Sequence, residues 1–331
     1  MHAPDGYLNA GTAIATGAIS VGTVGAALRQ ARHTLKDKQV PLAGIAAAFI
    51  FAAQMFNFPV AAGTTGHLLG GALAAILLGP SMGAIVVTIV VVVQALAFAD
   101  GGLTALGYNL LNMAIIPAFG GWAVFRFWRR MLPRTSAGVV AATALAAGLS
   151  VVFSAMAFSI QWLFGATAPI PFDTVFGAMV GVHLLIGIGE GVLSALAVAA
   201  VLAARPDLVY GAQDLDRAQL AQRKPLKTRT LVVAGLLASL LFAVVVSQFA
   251  VDNPDGLEYV AEETGFGSQS EDHALGRSIF ADYATEGVGN ETLSLAIAGT
   301  AGVLITLLVG YGIFYAVRDR SPKTPEKISG H

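Results

Sequence analysis

The sequence predicts an all-α, polytopic membrane protein, and three observations lead there. Of 331 residues, 56% are hydrophobic and only 12% charged, against about 25% charged in an ordinary soluble domain. Mean hydropathy is +0.72, more apolar surface than one water-soluble core can hide, so lipid has to cover part of it. The Lys and Arg residues are confined to short stretches between long apolar runs.

About 20 apolar residues cross a bilayer, and on that measure the chain divides into nine spans. They fall at roughly 8–28, 41–57, 67–80, 82–99, 103–125, 137–164, 175–203, 229–251 and 293–317. The third is short, and Gly79-Pro80-Ser81 makes it one arm of a tight hairpin with the fourth. Basic residues gather in 29–38, 126–134, 205–229 and 318–327, whereas 57–66, 99–102, 165–174 and 252–292 hold a single Arg and no Lys. Cytoplasmic loops collect Lys and Arg. Nine spans with the N-terminus outside and the C-terminus inside satisfy every loop. The 38 glycines are spread through the apolar runs, as expected where membrane helices pack through small residues.

Composition also excludes functions. A net charge of −1 gives no basic field for nucleic acid. The absence of cysteine removes thiolate metal sites, disulfides and thiol catalysis. No Gly-x-x-x-x-Gly-Lys-Ser/Thr occurs, so the chain has no ATP site of its own. Met1 to Asn9 carries no Lys or Arg. The start therefore reads as a mature end with a function, not as a secretory signal. The charged stretch 205–228 divides the chain into a seven-span unit, 1–204, and a final unit, 229–331, whose two spans enclose an acidic outer segment, 252–292.

Three polar clusters fall on the outer side: Met1-His2-Ala3-Pro4-Asp5-Gly6, Gly63-Thr64-Thr65-Gly66-His67 and Asp100-Gly101-Gly102. Two histidines at one membrane face are a plausible pair for a divalent metal, since neutral imidazole suits nickel, cobalt, copper and zinc. A free α-amine on Met1, the amide nitrogen of His2 and the His2 Nδ1 can close two adjacent chelate rings in one plane. That leaves a fourth corner for His67, and square-planar nitrogen ligation is characteristic of Ni(II) or Cu(II). A bulky residue at position 2 should discourage removal of the initiator Met, which keeps the register. Taken alone, a histidine at position 2 is more often an exposed terminal residue with no ligand.

Other polar residues have a structural reading beside a functional one. Asp5 and Thr65 could support the ligands, and Asp5 could equally orient the N-terminal turn. Asp100 could tune the site or cap the following helix. Gln94, Asn109 and Asn112 could support it or tie helices together. His183 and Glu190, seven residues apart and hence on one helical face, read first as a hydrogen-bonded structural pair and second as a metal relay. His273, Glu258, Glu262, Glu263 and Asp272 read as a solvated acidic loop that could attract cations. His33 and His331 read as incidental.

At this point several motifs together resemble a known family. Met-His-Ala-Pro-Asp-Gly-Tyr-Leu at 1–8, Asn-Phe-Pro-Val-Ala-Ala-Gly-Thr-Thr-Gly-His-Leu-Leu-Gly-Gly at 57–71, Gln-Ala-Leu-Ala-Phe-Ala-Asp-Gly-Gly-Leu-Thr-Ala-Leu-Gly at 94–107 and Ile-Gly-Ile-Gly-Glu-Gly at 186–191 resemble the CbiM/NikM family. These are the S components of energy-coupling factor (ECF) transporters for cobalt and nickel. Asn-Pro-Asp-Gly-Leu-Glu at 253–258 resembles the signature of the small partner subunit CbiN, here fused behind the S component. The resemblance implies a seven-helix metal-binding subunit in a bacterial plasma membrane, whose N-terminus dips into the protein from outside. It implies Ni2+ or Co2+ as transported substrate, held by Met1, His2 and His67. It further implies two cytoplasmic ATPase subunits and a transmembrane coupling subunit as partners. The Pro-Asp-Gly-Tyr wording at 4–7 leans to the nickel branch, although the ligand set accepts either ion. Two other readings remain open from the residues: a proton-coupled secondary transporter using His183 and Glu190, and a membrane metallo-enzyme. Against the latter, His-Glu-x-x-His is absent.

Overall fold

In hydrocarbon a chain has to satisfy its own backbone N–H and C=O groups, so long apolar runs become helices. The computed structural model, which describes residues 1–35, 37–61, 63–215 and 226–318, is built almost wholly of them. In chain order they are α1 (Ala10–Thr34), α2 (Val40–Gln54), α3 (Gly71–Leu78), α4 (Pro80–Ala97), α5 (Leu106–Met131), α6 (Ser136–Gly165), α7 (Phe172–Ala204), α8 (Thr228–Val244), α9 (Gly256–Thr264) and α10 (Glu291–Val317). Starts are marked by polar caps: the side chains of Asn9, Thr135 and Asn290 accept from Thr12, Gly138 and Leu293 N–H groups. Within α5, Leu110–Ile115 run as a π-helical turn directly after Asn109.

Among the described residues seven helices, not nine, are long and apolar enough to cross a membrane. α2 keeps 15 residues. The run at 67–80 yields only the 8-residue α3, because its first part enters the bundle as irregular chain. Residues Thr65–Gly66 pair antiparallel with Phe58–Pro59, and the chain then descends to Gly70 without helical bonds. Irregular backbone at this depth needs partners from the protein. Glu190 supplies two: its Oε2 accepts from Leu69 N at 2.6 Å and its Oε1 from Gly70 N at 3.0 Å. Gln54 Nε2 donates to the Leu69 carbonyl at 3.0 Å. Glu190 is therefore spent on α3 and does not pair with His183, whose Nδ1 meets the Met179 carbonyl at 2.7 Å. The expected His183–Glu190 pair does not form, because the orphan N–H groups of a broken helix compete for the carboxylate.

Gly79 joins α3 to α4 at φ 97°, ψ 154°, a conformation open to glycine and costly for any other residue. The C-terminal helices α8 and α10 pack on α2, α10 through a second small residue. A Cβ added to Gly44 would lie 3.1 Å from the Leu307 carbonyl on α10, so these backbones meet at van der Waals distance.

The loops sort to two ends. At one, Arg129 reaches Asp214 at 2.7 Å, Arg318 lies 3.9 Å from Asp37, and the Gly79 turn faces the Tyr210 ring. At the other, Gly102 N donates to Ala3 O, Thr65 N to Pro254 O and Asp282 N to Phe98 O, and Leu8 bridges Ala166. The first end gathers the basic segments, and the positive-inside rule makes it cytoplasmic. Residues 216–225 of the linker and the tail from 319, His331 included, lie outside the described residues.

The outer segment 252–292 is not simply a solvated acidic loop. It folds α9 behind a capping box of Asp255 and Glu258. It also buries Leu257, Val260, Ala261 and Phe266 on the outer ends of the bundle. Phe266 sits 4.4 Å from Trp162 and 5.1 Å from Tyr7, centroid to centroid. Its acidic residues take the outer face of a helix whose apolar face is covered.

Replacing Glu190 by Leu leaves two buried N–H groups unpaired, each worth about 1–3 kcal/mol. Unfolding of the purified chain in detergent should show a loss of about 2–6 kcal/mol, with Glu190→Gln, which keeps one acceptor, falling between. Unchanged stability in Glu190→Leu would contradict this capping role.

Candidate metal-capture site

The first nine residues run inward as a plug, and each turn of it is fastened. Asn109 on α5 holds Ala3 from both sides, accepting from Ala3 N and donating to Ala3 O, both at 2.9 Å. Asp5 accepts from the backbone N–H groups of Leu103, Thr104 and Ala105 and from the Thr104 hydroxyl. Tyr108 donates to Pro4 O at 3.1 Å, and Glu271 N donates to Asp5 O at 2.9 Å. Asp5 thus fixes the N-terminal turn and at the same time occupies the N–H groups of the turn that leads into α5.

This fastening delivers His2 to an open cleft of about 980 Å3 on the outer side, which His67 also lines, and leaves Met1 buried beside His67 and Asp255. The Met1 ammonium lies 3.1 Å from His67 Nε2. The His2 and His67 rings stack at 5.2 Å with 24° between planes. His67 is oriented by its Nδ1 meeting the Leu68 carbonyl at 3.1 Å. The His2 ring is gripped at both nitrogens, Nε2 by Gln94 Oε1 at 3.0 Å and Nδ1 facing Asp100 Oδ1 at 3.3 Å. Burial pulls the His2 pKa down to about 4, against the opposing pull of Asp100. The imidazole is therefore neutral at pH 7, as a metal ligand has to be.

Among the described residues no three or more His, Asp or Glu side chains form a cluster able to hold a metal.

The structure brings Met1, His2, His67 and Asp100 together and sets Asp5 and Asn109 to hold the segment that carries the first two. Thr65 works elsewhere, its hydroxyl donating to Asn253 O at 2.9 Å to pin the outer loop. Asn112 exchanges hydrogen bonds with Gln161 at 2.9 and 2.7 Å and ties α5 to α6. His183 is fully buried, with Nε2 lacking a hydrogen-bond partner, beneath the turn at Gly256.

Sequence reasoning missed two residues, Asp255 and, beside Gln94 and Asp100, Tyr283. Asp255, in the fused unit, places Oδ2 against the Met1 ammonium and 3.8 Å from His67 Nε2. Its Oδ1 accepts from Leu257 N at 2.7 Å and Glu258 N at 3.0 Å, so one carboxylate caps α9 and holds the chain terminus. The positive charge at the terminus keeps its pKa well below the usual carboxylate range although burial opposes this. The signal was present as Pro254-Asp255-Gly256, the same triplet as Pro4-Asp5-Gly6, but nothing in the spacing brings position 255 to position 1.

A polytopic helical protein that brings its own amino terminus against a buried histidine beside an outward cleft belongs with the membrane transporters of transition metals. A crystal structure of a truncated transition metal transporter superposes with TM-score 0.55 at 33% identity, covering 61% of this chain and 99% of that one. Residues 2–208 match the family model CbiM, cobalt uptake substrate-specific transmembrane region, and residues 229–319 match the PDGLE domain. The chain belongs to the CbiM family and is a cobalt/nickel transport membrane protein of CbiM/NikM type, not an enzyme. It is 35% identical over 314 residues to a fused chain, NikMN, of Archaeoglobus fulgidus, covering 95% of this chain and 98% of that one. A fused nickel transport protein NikMN of Rhodobacter capsulatus is 35% identical over 221 residues, 63% of this chain and 64% of that one.

If Asp255 holds the terminus, Asp255→Asn should raise the rate at which an amine-reactive reagent labels Met1. Mass spectrometry of the N-terminal peptide should show about a tenfold increase, equivalent to about 1.4 kcal/mol. Labelling at the native rate would assign the anchoring to Asn109 and Asp5 alone.

Proposed function

We propose that the chain captures Ni2+ or Co2+ from outside with four nitrogens: the Met1 amine, the His2 amide nitrogen, His2 Nδ1 and His67 Nε2. The observation that carries this reading is the 3.1 Å approach of the amine to His67 Nε2. Metal–nitrogen bonds of about 2.0–2.1 Å at right angles put neighbouring donor nitrogens about 2.9 Å apart. Two of the four donors already stand close to that separation before any ion arrives. The Met1–His2 backbone then closes five- and six-membered rings, and His67 takes the corner opposite the amide.

Planar nitrogen ligation disfavours tetrahedral Zn(II) but suits Cu(II) as well as Ni(II), so the four-nitrogen plane by itself does not exclude copper. Loading releases protons from the ammonium and the amide, so the ion has to displace Asp255 Oδ2 from the amine. The outer loop, which carries Asp255 and α9, is in this reading the element that responds to loading.

Residues 1–204 would act as the S component of an ECF importer, 205–228 as the cytoplasmic linker and 229–331 as the fused CbiN-like unit. Two cytoplasmic ATPase subunits and a transmembrane coupling subunit would supply the energy, because this sequence carries no Gly-x-x-x-x-Gly-Lys-Ser/Thr. The nickel named for the Rhodobacter capsulatus relative and the cobalt named for the family keep both ions as substrates.

Metal titration by calorimetry checks the chelate. The native chain should bind one Ni2+ or Co2+. A chain with one Ala inserted before Met1 should lose at least about 100-fold in affinity, because the extension removes the amine and shifts His2 out of register. His67→Ala should weaken binding without abolishing it. Equal affinity in the extended chain would overturn the proposal.

A further inference from the structure

For His2 to bind metal through Nδ1, its proton has to sit on Nε2. Which nitrogen carries the proton is set by what the other one faces. His2 Nε2 faces the Gln94 side chain, but a carboxamide presents an acceptor or a donor according to how it is turned. The orientation of Gln94 is fixed from behind. Its Nε2 donates to Gln54 Oε1 at 2.8 Å and to the Tyr283 hydroxyl at 3.1 Å. Gln54 is itself oriented, since its Nε2 is engaged with the Leu69 carbonyl.

Tyr283 has one proton and gives it to Asp100 Oδ2 at 2.5 Å, leaving its oxygen to accept from Gln94. Burial, then Asp100 beside it, pushes the Tyr283 hydroxyl well above its ordinary pKa, so it stays a donor. The chain of directions is then closed. Asp100 accepts from Tyr283, Tyr283 accepts from Gln94, and Gln94 turns Oε1 to the His2 Nε2–H. His2 Nδ1 is left as a lone pair, and the atom facing it at 3.3 Å is another acceptor, Asp100 Oδ1. Asp100 Oδ1 would accept from a proton on Nδ1 equally well, so the Nε2–H form has to be held against that alternative.

Tyr283 is held in place at some cost. Asp282 and Tyr283 both adopt left-handed backbone, φ 51° and 57°, which non-glycine residues avoid. Asp282 N is tied to Phe98 O at 2.9 Å, and the Tyr283 ring stacks on Phe98 at 5.1 Å and 23°. Strain of this kind persists where the surroundings over-determine it.

We propose that Tyr283, contributed by the outer loop of the fused unit, is a positioning residue that holds His2 in the Nε2–H tautomer and so keeps Nδ1 open to the ion. This rests on the four-nitrogen reading of the site. Without the hydroxyl, the Asp100 carboxylate loses its donor and takes the His2 proton onto Nδ1, where it blocks chelation. The fused unit thereby contributes to ligand chemistry without touching the metal.

Tyr283→Phe in the full chain tests this, because it keeps the ring on Phe98 and removes only the hydroxyl. Two readouts are needed: Ni2+ affinity by titration, and the tautomer of His2 from 15N spectra of the histidine-labelled, metal-free chain, assigned against His2→Ala. The expected result is about a 10–100-fold loss of affinity together with a move of the proton from Nε2 to Nδ1. Lost affinity with the native tautomer would make Tyr283 structural only and overturn the inference, as would native affinity. The chain extended before Met1 separates the two levels. If that chain still binds as the native one does, the chelate and this inference both fall. If it does not bind and Tyr283→Phe binds normally, only the role of Tyr283 falls.

Discussion

The arrangement depends on one constraint: polar backbone carried into a membrane protein has to find partners inside it. The chain breaks this requirement twice, at the irregular stretch 66–70 and at the inserted terminus, and meets it both times with buried polar side chains. Glu190 and Gln54 replace the missing helical bonds above α3. Asn109 and Tyr108 do the same for Ala3 and Pro4, and the Asp5 carboxylate in turn satisfies the N–H groups of 103–105. The first break lets His67 face the cleft, and the second lets His2 reach it with Met1 buried against His67. A continuous helix over 67–80 would hold His67 in a helical register with its backbone satisfied, and would leave no room for the terminus.

The two repairs are linked. Gln54, which supports the break above α3, also accepts from Gln94, which holds His2. The supports of the two candidate ligand segments therefore form one hydrogen-bonded network, and buried networks of this kind rigidify when every member is satisfied. Its outer boundary is formed by the fused unit, through Asp255 at the terminus and Tyr283 at Gln94 and Asp100. The extent of 229–319 as a separately recognised domain and its close packing on α2 through Gly44 fit a unit that is covalently joined and conformationally coupled to the site.

Asp255 and Tyr283 lie at opposite ends of the outer segment, and each comes from a turn with its own local logic. Asp255 is the cap of α9, and a capping carboxylate has a second oxygen free to make another bond. Tyr283 sits in a left-handed pair pinned to Phe98. Local folding rules place both residues, and the ion-pair and hydrogen-bond partners they then meet are more than 180 residues away in sequence.

The sequence alone determined the membrane class and the alternation of basic and non-basic loops, and its resemblance to the CbiM/NikM family singled out Met1, His2 and His67 as candidate ligands. The first two are carried by local properties, apolar run length and loop charge; from the residues alone, a histidine at position 2 read only as a possible chelate. The sequence also read most helix positions within a few residues, although α1 and α5 run on to Thr34 and Met131, past the expected ends at 28 and 125. It failed at 67–80, where apolar composition looks the same for a spanning helix and for a buried broken one. Only the tertiary structure decided that Glu190 caps α3 and leaves His183 apart, that the acidic loop folds back as α9, and that Asp255 and Tyr283 reach the site. Those outcomes depend on which distant groups compete for a buried donor or carboxylate. That competition is set by three-dimensional proximity, and no spacing in the chain records it.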